Sequence, residues 1–329
     1  MSSKILIIGG AGYIGSHTLR YLQEKGYKCI VFDNFSNGHK KFINCKYEEG
    51  DILNIQQLRY TFSKYSISAV IHFAAFIEAG ESVFEPEKYY INNVSGTLNV
   101  LKVMREFGVK NIVFSSTAAV YGECEDEVLT EQSTLGPINA YGKSKLMVEN
   151  ILEEYCRVYE FNCTILRYFN ASGAGYDVGE LHSPETHLIP LVLFTALRIR
   201  EKIYIFGDSY NTDDGTCIRD YVHVLDLAQA HHLALQAIQN KTHQGLHIYN
   251  VGSGRGYSVK EIINKCKEIT NIDFNVEITQ KREGDPAKLV ASSQKISHEL
   301  RFEIKYSIDE IIKSAWKWHK QNNLENKNN

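Results

Sequence analysis

The feature that most narrows what this chain can become is a run of glycines set directly behind an apolar strand. Ile5–Ile8 reads as a buried strand, Ile14–Lys25 has helical spacing, and Gly9-Gly10-Ala11-Gly12-Tyr13-Ile14-Gly15 joins them. Glycines at Gly9, Gly12 and Gly15 keep that turn tight and let a pyrophosphate approach the backbone. The helix N-terminus then offers N–H groups to the anion. A plain strand-to-helix turn also uses glycine, so the pattern alone does not decide the matter. Asp33 does more: it ends the second strand about twenty residues on, where a carboxylate accepts bonds from ribose hydroxyls. An acid there repels a 2′-phosphate, which favours NAD over NADP.

The pattern continues down the chain. Lys28–Phe32, Ala69–Phe73, Asn111–Ser115 and Cys163–Arg167 read as buried strands, and Ile55–Tyr65, Val83–Phe107 and Ala140–Tyr159 as helices. Strands that are apolar throughout and alternate with helices predict an α/β fold, a Rossmann-type doubly wound parallel sheet covered on both faces. After Asn170 the glycine-containing stretch Ala171–Gly179 breaks the rhythm, followed by a helix near His187–Arg200 and a strand near Lys202–Phe206. Ile248–Val251 reads as a strand returning to the parallel sheet, and a last helix is expected around Ile308–His319. The organisation expected is a NAD-binding domain over 1–170 with a returning segment at about 218–252. A smaller α/β substrate domain would take 171–217 and 253–319, and a disordered polar tail 320–329.

The 329 residues carry a formal net charge of −3, and no basic run is interleaved with aromatics, so nothing points to nucleic acid. The apolar stretch from Leu188 to Leu197 contains Pro190 and is too short for the roughly 18 residues a membrane span needs. Seven scattered cysteines form no CxxC pair and suggest reduced thiols in a cytoplasmic setting. No metal-ligand spacing stands out.

Tyr141 and Lys145 are four apart, which on a helix places both on one face. An ammonium beside a phenol favours the phenolate and makes the tyrosine a usable base. A Tyr/Lys pair at this spacing is common on ordinary helices, and its weight here comes from the glycine turn. Ser115-Ser116-Thr117 ends the preceding strand at the carboxyl edge of the sheet, where open α/β folds bind ligands. Thr117 can offer a hydroxyl to the same substrate oxygen, or merely cap backbone.

With these motifs in place, the chain resembles the UDP-glucose (UDP-galactose) 4-epimerase family of the extended short-chain dehydrogenases/reductases over nearly its whole length. The resemblance is carried by Gly9–Gly15, Val70–Ala75, Gly80-Glu81-Ser82, Asn92-Asn93-Val94 and Ser115–Gly122. Tyr141–Glu149, Leu166–Asn170, Asp213–Val224 and the REGD segment Arg282–Asp285 complete it. It implies that Gly9, Gly12, Tyr13, Ile14 and Gly15 receive the NAD pyrophosphate. Asp33 and Asn34 would hold the adenosine ribose, and Asp51 and Ile52 the adenine. Phe73, Ala74, Ala75, Asn92, Ser115, Tyr141, Lys145, Tyr168 and Phe169 would surround the rest of the cofactor. Asn170, His187, Leu188, Arg219 and Arg282 would bind the UDP group, with Asp285 on the uridine ribose and the Tyr204–Ile205–Phe206 strand beside uracil. Two arginines suit a pyrophosphate and one carboxylate a ribose diol. Thr117 and Tyr141 would meet the sugar.

The implied activity is interconversion of UDP-glucose and UDP-galactose through a 4-keto intermediate. Leu289, at a position where some members of the family have tyrosine, extends the expectation to UDP-N-acetylhexosamines. Some members also carry a lysine where this chain has Ile77, so no cofactor contact is expected from that place. A 4,6-dehydratase would need an Asp-Glu pair where Ala118 and Ala119 stand. A UDP-pentose 4-epimerase would differ only in pocket lining and stays open, as does another nucleotide-sugar enzyme of the same group. A NAD sensor without catalysis tends to lose the Tyr/Lys pair. The family implies a homodimer through Val83–Phe107 and Ala140–Tyr159.

Overall fold

The computed structural model describes residues 3–124, 126–282 and 285–328. The larger sheet has seven strands in the order β10-β6-β5-β4-β1-β2-β3. These are β1 (Lys4–Ile8), β2 (Cys29–Asp33), β3 (Tyr47–Glu49), β4 (Ile67–His72), β5 (Asn111–Thr117), β6 (Asn162–Tyr168) and β10 (Leu246–Val251). All pairings are parallel. Their apolar residues are buried on both faces because helices cover both. On one side α1 (Tyr13–Glu24) and α8 (Val224–Gln239) pack over Ile5, Ile7, Val31 and Ile71. On the other α2 (Ile55–Lys64), α5 (Gly96–Glu106) and α6 (Ala140–Tyr159) pack over Leu6, Ile8, Val70 and Ile112. The strand order reverses between β1 and β4, which opens a crevice at their carboxyl ends.

The single helix expected over Val83–Phe107 is four pieces: α3 (Glu81–Phe84), α4 (Pro86–Tyr89), a π-helical turn at Tyr90–Ser95, and α5. Pro86 is the cause of the first break. It forces Glu85 out of helical geometry, to φ −122 and ψ 55, and then starts α4 at its own first turn.

The second half forms a smaller lobe. β7 (Asn170–Ser172), β9 (Ile218–His223), β11 (Gly256–Ser258) and β13 (Lys288–Leu289) make a four-stranded sheet, while β8 (Lys202–Phe206) pairs with β12 (Asn275–Thr279). Of the returning stretch, α8 and β10 join the large sheet, whereas β9 stays with the small one. α7 (Leu188–Ala196), α9 (Val259–Thr270) and α11 (Ile308–Asn328) enclose an apolar core with Ile203, Ile205, Ile262 and Ile312. α10 (Gln294–Leu300) lies against the large sheet through Ile296. The expected disordered tail is helix instead: α11 runs on through Asn328 because no glycine or proline stops it. Trp318 of α11 packs directly on Gly179 and edge-on to Phe42, and its indole N–H donates to the Glu180 carbonyl at 3.1 Å.

Candidate functional site

The glycine turn sits at the sheet reversal, and its three glycines are needed for two different reasons. Gly9 has φ +77, and a Cβ there would lie 2.5 Å from the Ala74 amide nitrogen. A Cβ on Gly15 would lie 2.3 Å from the Gly9 carbonyl oxygen. Those two are required by the protein itself. A Cβ on Gly12 would meet only the Gly9 oxygen at 3.5 Å, so the chain has room for a side chain there. Gly12 is also the N-cap of α1, which has no side-chain cap and no acid in its first turn. An uncapped helix end with open space beside its first N–H groups fits a pyrophosphate.

Asp33 is buried, and its two oxygens accept from the amides of Ala11 (2.9 Å) and Phe35 (2.8 Å). Burial raises its pKa while those two bonds oppose the rise. It therefore braces the glycine turn, and each of its oxygens keeps a further lone pair. Asn34 donates to Asp51 at 3.0 Å, which sets the two residues expected around the adenosine side by side. Ile52 is buried against Gly96. Phe73 and Ala74 both donate backbone N–H to Ile8, closing β4 onto the turn, and Ala75 follows directly.

Tyr141 lies in the first turn of α6, capped by Asn139, whose side chain accepts from the Gly142 amide at 2.9 Å. A Cβ on Gly142 would lie 2.6 Å from the Ala119 oxygen, so only glycine lets α6 close on the Ala118–Val120 turn. That close approach puts Tyr141 beside Thr117. Burial pushes the Tyr141 phenol up to about 12, with the Thr117 hydroxyl bond pulling it down and Glu78 adding a smaller rise. The sequence expected Lys145 to lower this phenol. In the structure Lys145 Nζ donates instead to the Ser115 carbonyl at 2.7 Å and lies 4.9 Å above the Phe114 ring. Its own pKa is lowered to about 7 by burial, opposed by Glu149 one turn further along α6. The group favouring phenolate here is Thr117. Tyr168 pairs with Thr117 in the β5–β6 register, and burial, the Tyr141 phenol and Ser115 all act on its hydroxyl. Phe169 is buried with Ala118, Tyr121 and Ala291, and Leu289 packs against the same group.

Two polar networks behind these residues were not found from sequence. Asn93, adjacent to Asn92 in the π turn, accepts from the Phe76 amide (2.9 Å) and from Asn92 (2.9 Å). It donates to the Phe76 carbonyl (3.0 Å) and to Ser144 (3.0 Å). It thus latches the turn to α6 one residue before Lys145. Glu149 accepts from Arg167 at 2.6 Å and from Ser116 at 2.5 Å, and Arg167 donates to the Tyr121 hydroxyl at 3.1 Å. Glu149 and Arg167 are almost completely buried, and each removes the other's cost of leaving water.

On the substrate side, Arg219 of β9 donates to Asp285 and to the Ile218 carbonyl, so the expected diphosphate and ribose contacts are paired with each other. Arg282 lies 3.7 Å over the Phe206 ring. Glu283 and Gly284 of the REGD segment lie outside the described residues. Along β8, Tyr204 and Phe206 are half-buried, but Ile205 is turned with Ile203 into the core. The sequence placed all three beside a ligand, and the two-residue alternation of a strand leaves Ile205 only its backbone there. Asn170 starts β7 beside Tyr221. His187 caps α7 immediately before Leu188, and nearby carboxylates hold its imidazole up at about 9 against the effect of burial.

A strand-reversal crevice with an uncapped glycine turn, and a tyrosine, threonine and lysine at its edge, define a dinucleotide-dependent enzyme site. The model of the NAD dependent epimerase/dehydratase family matches residues 5–252, and the chain belongs to that family. It is 48% identical over 321 residues to the UDP-glucose 4-epimerase of Halalkalibacterium halodurans, covering 96% of each chain. Its fold superposes with a TM-score of 0.92 on UDP-glucose 4-epimerase from Brucella ovis in complex with NAD, at 42% identity over 96% of this chain and 98% of that one. The UDP-Glc/GlcNAc 4-epimerase of Campylobacter jejuni is similar at TM-score 0.85 and 42% identity, over 97% and 100% of the two chains.

Proposed function

We propose that this chain is a UDP-glucose 4-epimerase that inverts carbon 4 of a UDP-bound sugar with NAD held in the crevice. The observation that carries the reading is the meeting of Thr117, Tyr141 and Lys145 beside the uncapped glycine turn. When bound, NAD supplies the acceptor and donor of the hydride. Tyr141 takes the 4′-hydroxyl proton and later returns it, with the Thr117 hydroxyl sharing that hydrogen bond. Lys145, donating to the Ser115 carbonyl, holds the end of β5 against α6 beside Thr117, and the Thr117 hydroxyl bond opposes the rise burial imposes on the phenol. Arg219 and Arg282 grip the diphosphate, with Asn170 and Leu188 beside it, so that a 4-keto sugar turns over without leaving. Ala118 and Ala119 follow Thr117 directly, so the position offers no acid/base pair for elimination.

We divide the chain into a cofactor domain, 1–170 with α8 and β10 returning to it from the segment near 218–252 and α10 packed on it, and a substrate domain built on 171–217 and 253–319, to which β9 lends its strand. Leu289 favours a pocket that also admits N-acetylated sugars, since a leucine packed beside Ala118 and Phe169 leaves more space than a tyrosine would. We assign a homodimer through α3–α6. Support comes from Phe84 (84% exposed) and Val83 (61% exposed), with Ile91, Leu98 and Met147 also exposed. All seven cysteines are free, which suits the reducing cytoplasm. Among the described residues no helix is long and apolar enough to cross a membrane.

The deciding experiment incubates the purified protein separately with UDP-galactose, UDP-GalNAc and UDP-arabinose, without added NAD. Conversion of UDP-galactose to UDP-glucose is expected, with NAD copurifying. A cofactor-free preparation that consumes NAD in substrate amounts would overturn the reading, and turnover of UDP-arabinose alone would transfer it to a pentose epimerase. Sedimentation that finds only monomer would remove the dimer.

A further inference from the structure

Between Gly179 and α7 the chain places four metal-capable side chains within eight residues: Glu180, His182, Glu185 and His187. One ligand atom from each lies within 4.8 Å of all the others. His187 Nδ1 is 2.8 Å from Glu185 Oε1 and 3.1 Å from Glu180 Oε1. His182 Nδ1 is 2.9 Å from the same Glu180 oxygen. Both carboxylate side chains are only 5% exposed, and among the described residues their ion pairs are with histidine alone.

Two atoms in the cluster lack a hydrogen bond although buried: Glu185 Oε2 and His182 Nδ1. The second stands close to a carboxylate oxygen, yet outside the geometry of an N–H donor. Buried carboxylates without a counter-charge are costly, and so are buried polar atoms without a partner. A protonated His187 satisfies part of this demand but leaves both of those atoms alone. A dication at the centre would neutralise the two carboxylates and use the lone pair of each imidazole. Two nitrogens and two oxygens suit zinc-class ions rather than the all-oxygen cages of calcium or magnesium. Bonds of about 2.1 Å in a tetrahedron separate ligand atoms by about 3.4 Å, so the three histidine–carboxylate contacts would part by about half an ångström.

We propose that Glu180, His182, Glu185 and His187 form a structural binding site for one divalent transition-metal ion of the zinc class. The start of the segment is already fastened. The Leu181 carbonyl is 3.2 Å from His39 Nε2, and the Glu180 carbonyl accepts from Trp318. The ion would therefore pin the residues that lead into Leu188, while His187 Nε2 stays outside the cluster. This site does not depend on the epimerase reading.

The test uses the full-length protein, stripped with a chelator and dialysed against Zn2+, with metal content measured by mass spectrometry. Retention of one ion per chain is expected, with a rise in melting temperature. His182→Gln and Glu185→Gln should each weaken Zn2+ binding at least a hundredfold and abolish that rise. Co2+ loaded into the unsubstituted chain should show visible d–d bands without thiolate charge transfer in the near ultraviolet, a readout that does not depend on how the variants fold. Three results overturn the site: a chain that leaves dialysis metal-free, an affinity equal in the parent and His182→Gln, or a thiolate band placing the metal on cysteines.

Discussion

Tyr141 and Lys145 stand on a helix of 20 residues and Thr117 ends a strand of seven, whereas Arg219 and Leu289 stand on strands of six and two. Behind the first group lie buried networks, Asn93 with Ser144 and Glu149 with Arg167, that fix side chains from several elements at once. Behind the second, Arg219 is held by Asp285 and Arg282 by the Phe206 ring, both partners on loops or at a strand end. One wall of the crevice is set by packing and the other by charge. A group that must meet a proton at a fixed atom needs the first kind of support, while a group that grips a diphosphate works with the second.

The largest expected effect breaks the packed wall at its working atom. Tyr141→Phe should lower turnover about a thousandfold, within the range for a lost general base, while the protein still copurifies with NAD. Retention of a tenth of the parent activity would remove Tyr141 from the chemistry. Next comes its support. Glu149→Gln leaves Arg167 buried without its counter-charge and should cost about 3–5 kcal/mol of stability in urea unfolding. A cost near that of a surface substitution would mean the pair is dispensable.

Acid should act through buried histidines. Burial lowers His17, His231 and His319 to about 4 and His72 and His223 to about 3. Their folded pKa values lie below the unfolded value of about 6.5, so the unfolded chain takes up protons first. Their stabilisation is complete above pH 6.5 and falls as pH drops toward 4, by up to about 1.4 kcal/mol per unit for each histidine. Melting temperatures should change little from pH 7.5 to about 6.5 and then fall steadily down to pH 5, and a profile flat to pH 5 would contradict this. The smallest effect is expected on the charged wall. Leu289→Tyr should reduce turnover of UDP-GlcNAc about tenfold more than that of UDP-galactose, a difference of about 1.4 kcal/mol. Equal losses on both sugars would separate Leu289 from sugar size.

What the sequence revealed follows the same division. The apolar strands, the glycine turn and the Tyr141/Lys145 spacing are short-range patterns, and each strand of the seven-stranded sheet except β3 lies within about two residues of its expected place. β3, β7, β11 and β13 have two or three residues each and carry too little apolar signal to register. Arg167 reaches Glu149 across 18 residues and Tyr121 across 46, pairings that no local pattern records. Glu149 did leave one trace: it is an acid one turn beyond Lys145, on the face of α6 that turns inward. Ile205 reads as a ligand contact only when the strand is taken whole, whereas the alternation along β8 turns its side chain into the core.

The Trp318 contact ties the two sides of the cleft together. An indole from the last helix is seated on Gly179, bonded to the Glu180 carbonyl and set against Phe42 of the cofactor side. It acts as a rivet through both jaws of the cleft. Parting those jaws would separate the indole from Phe42 while it stays seated on Gly179 and Glu180. Phe42 and the Gly179–Glu180 segment therefore share one aromatic support, and a change at Trp318 reaches both sides of the cleft at once.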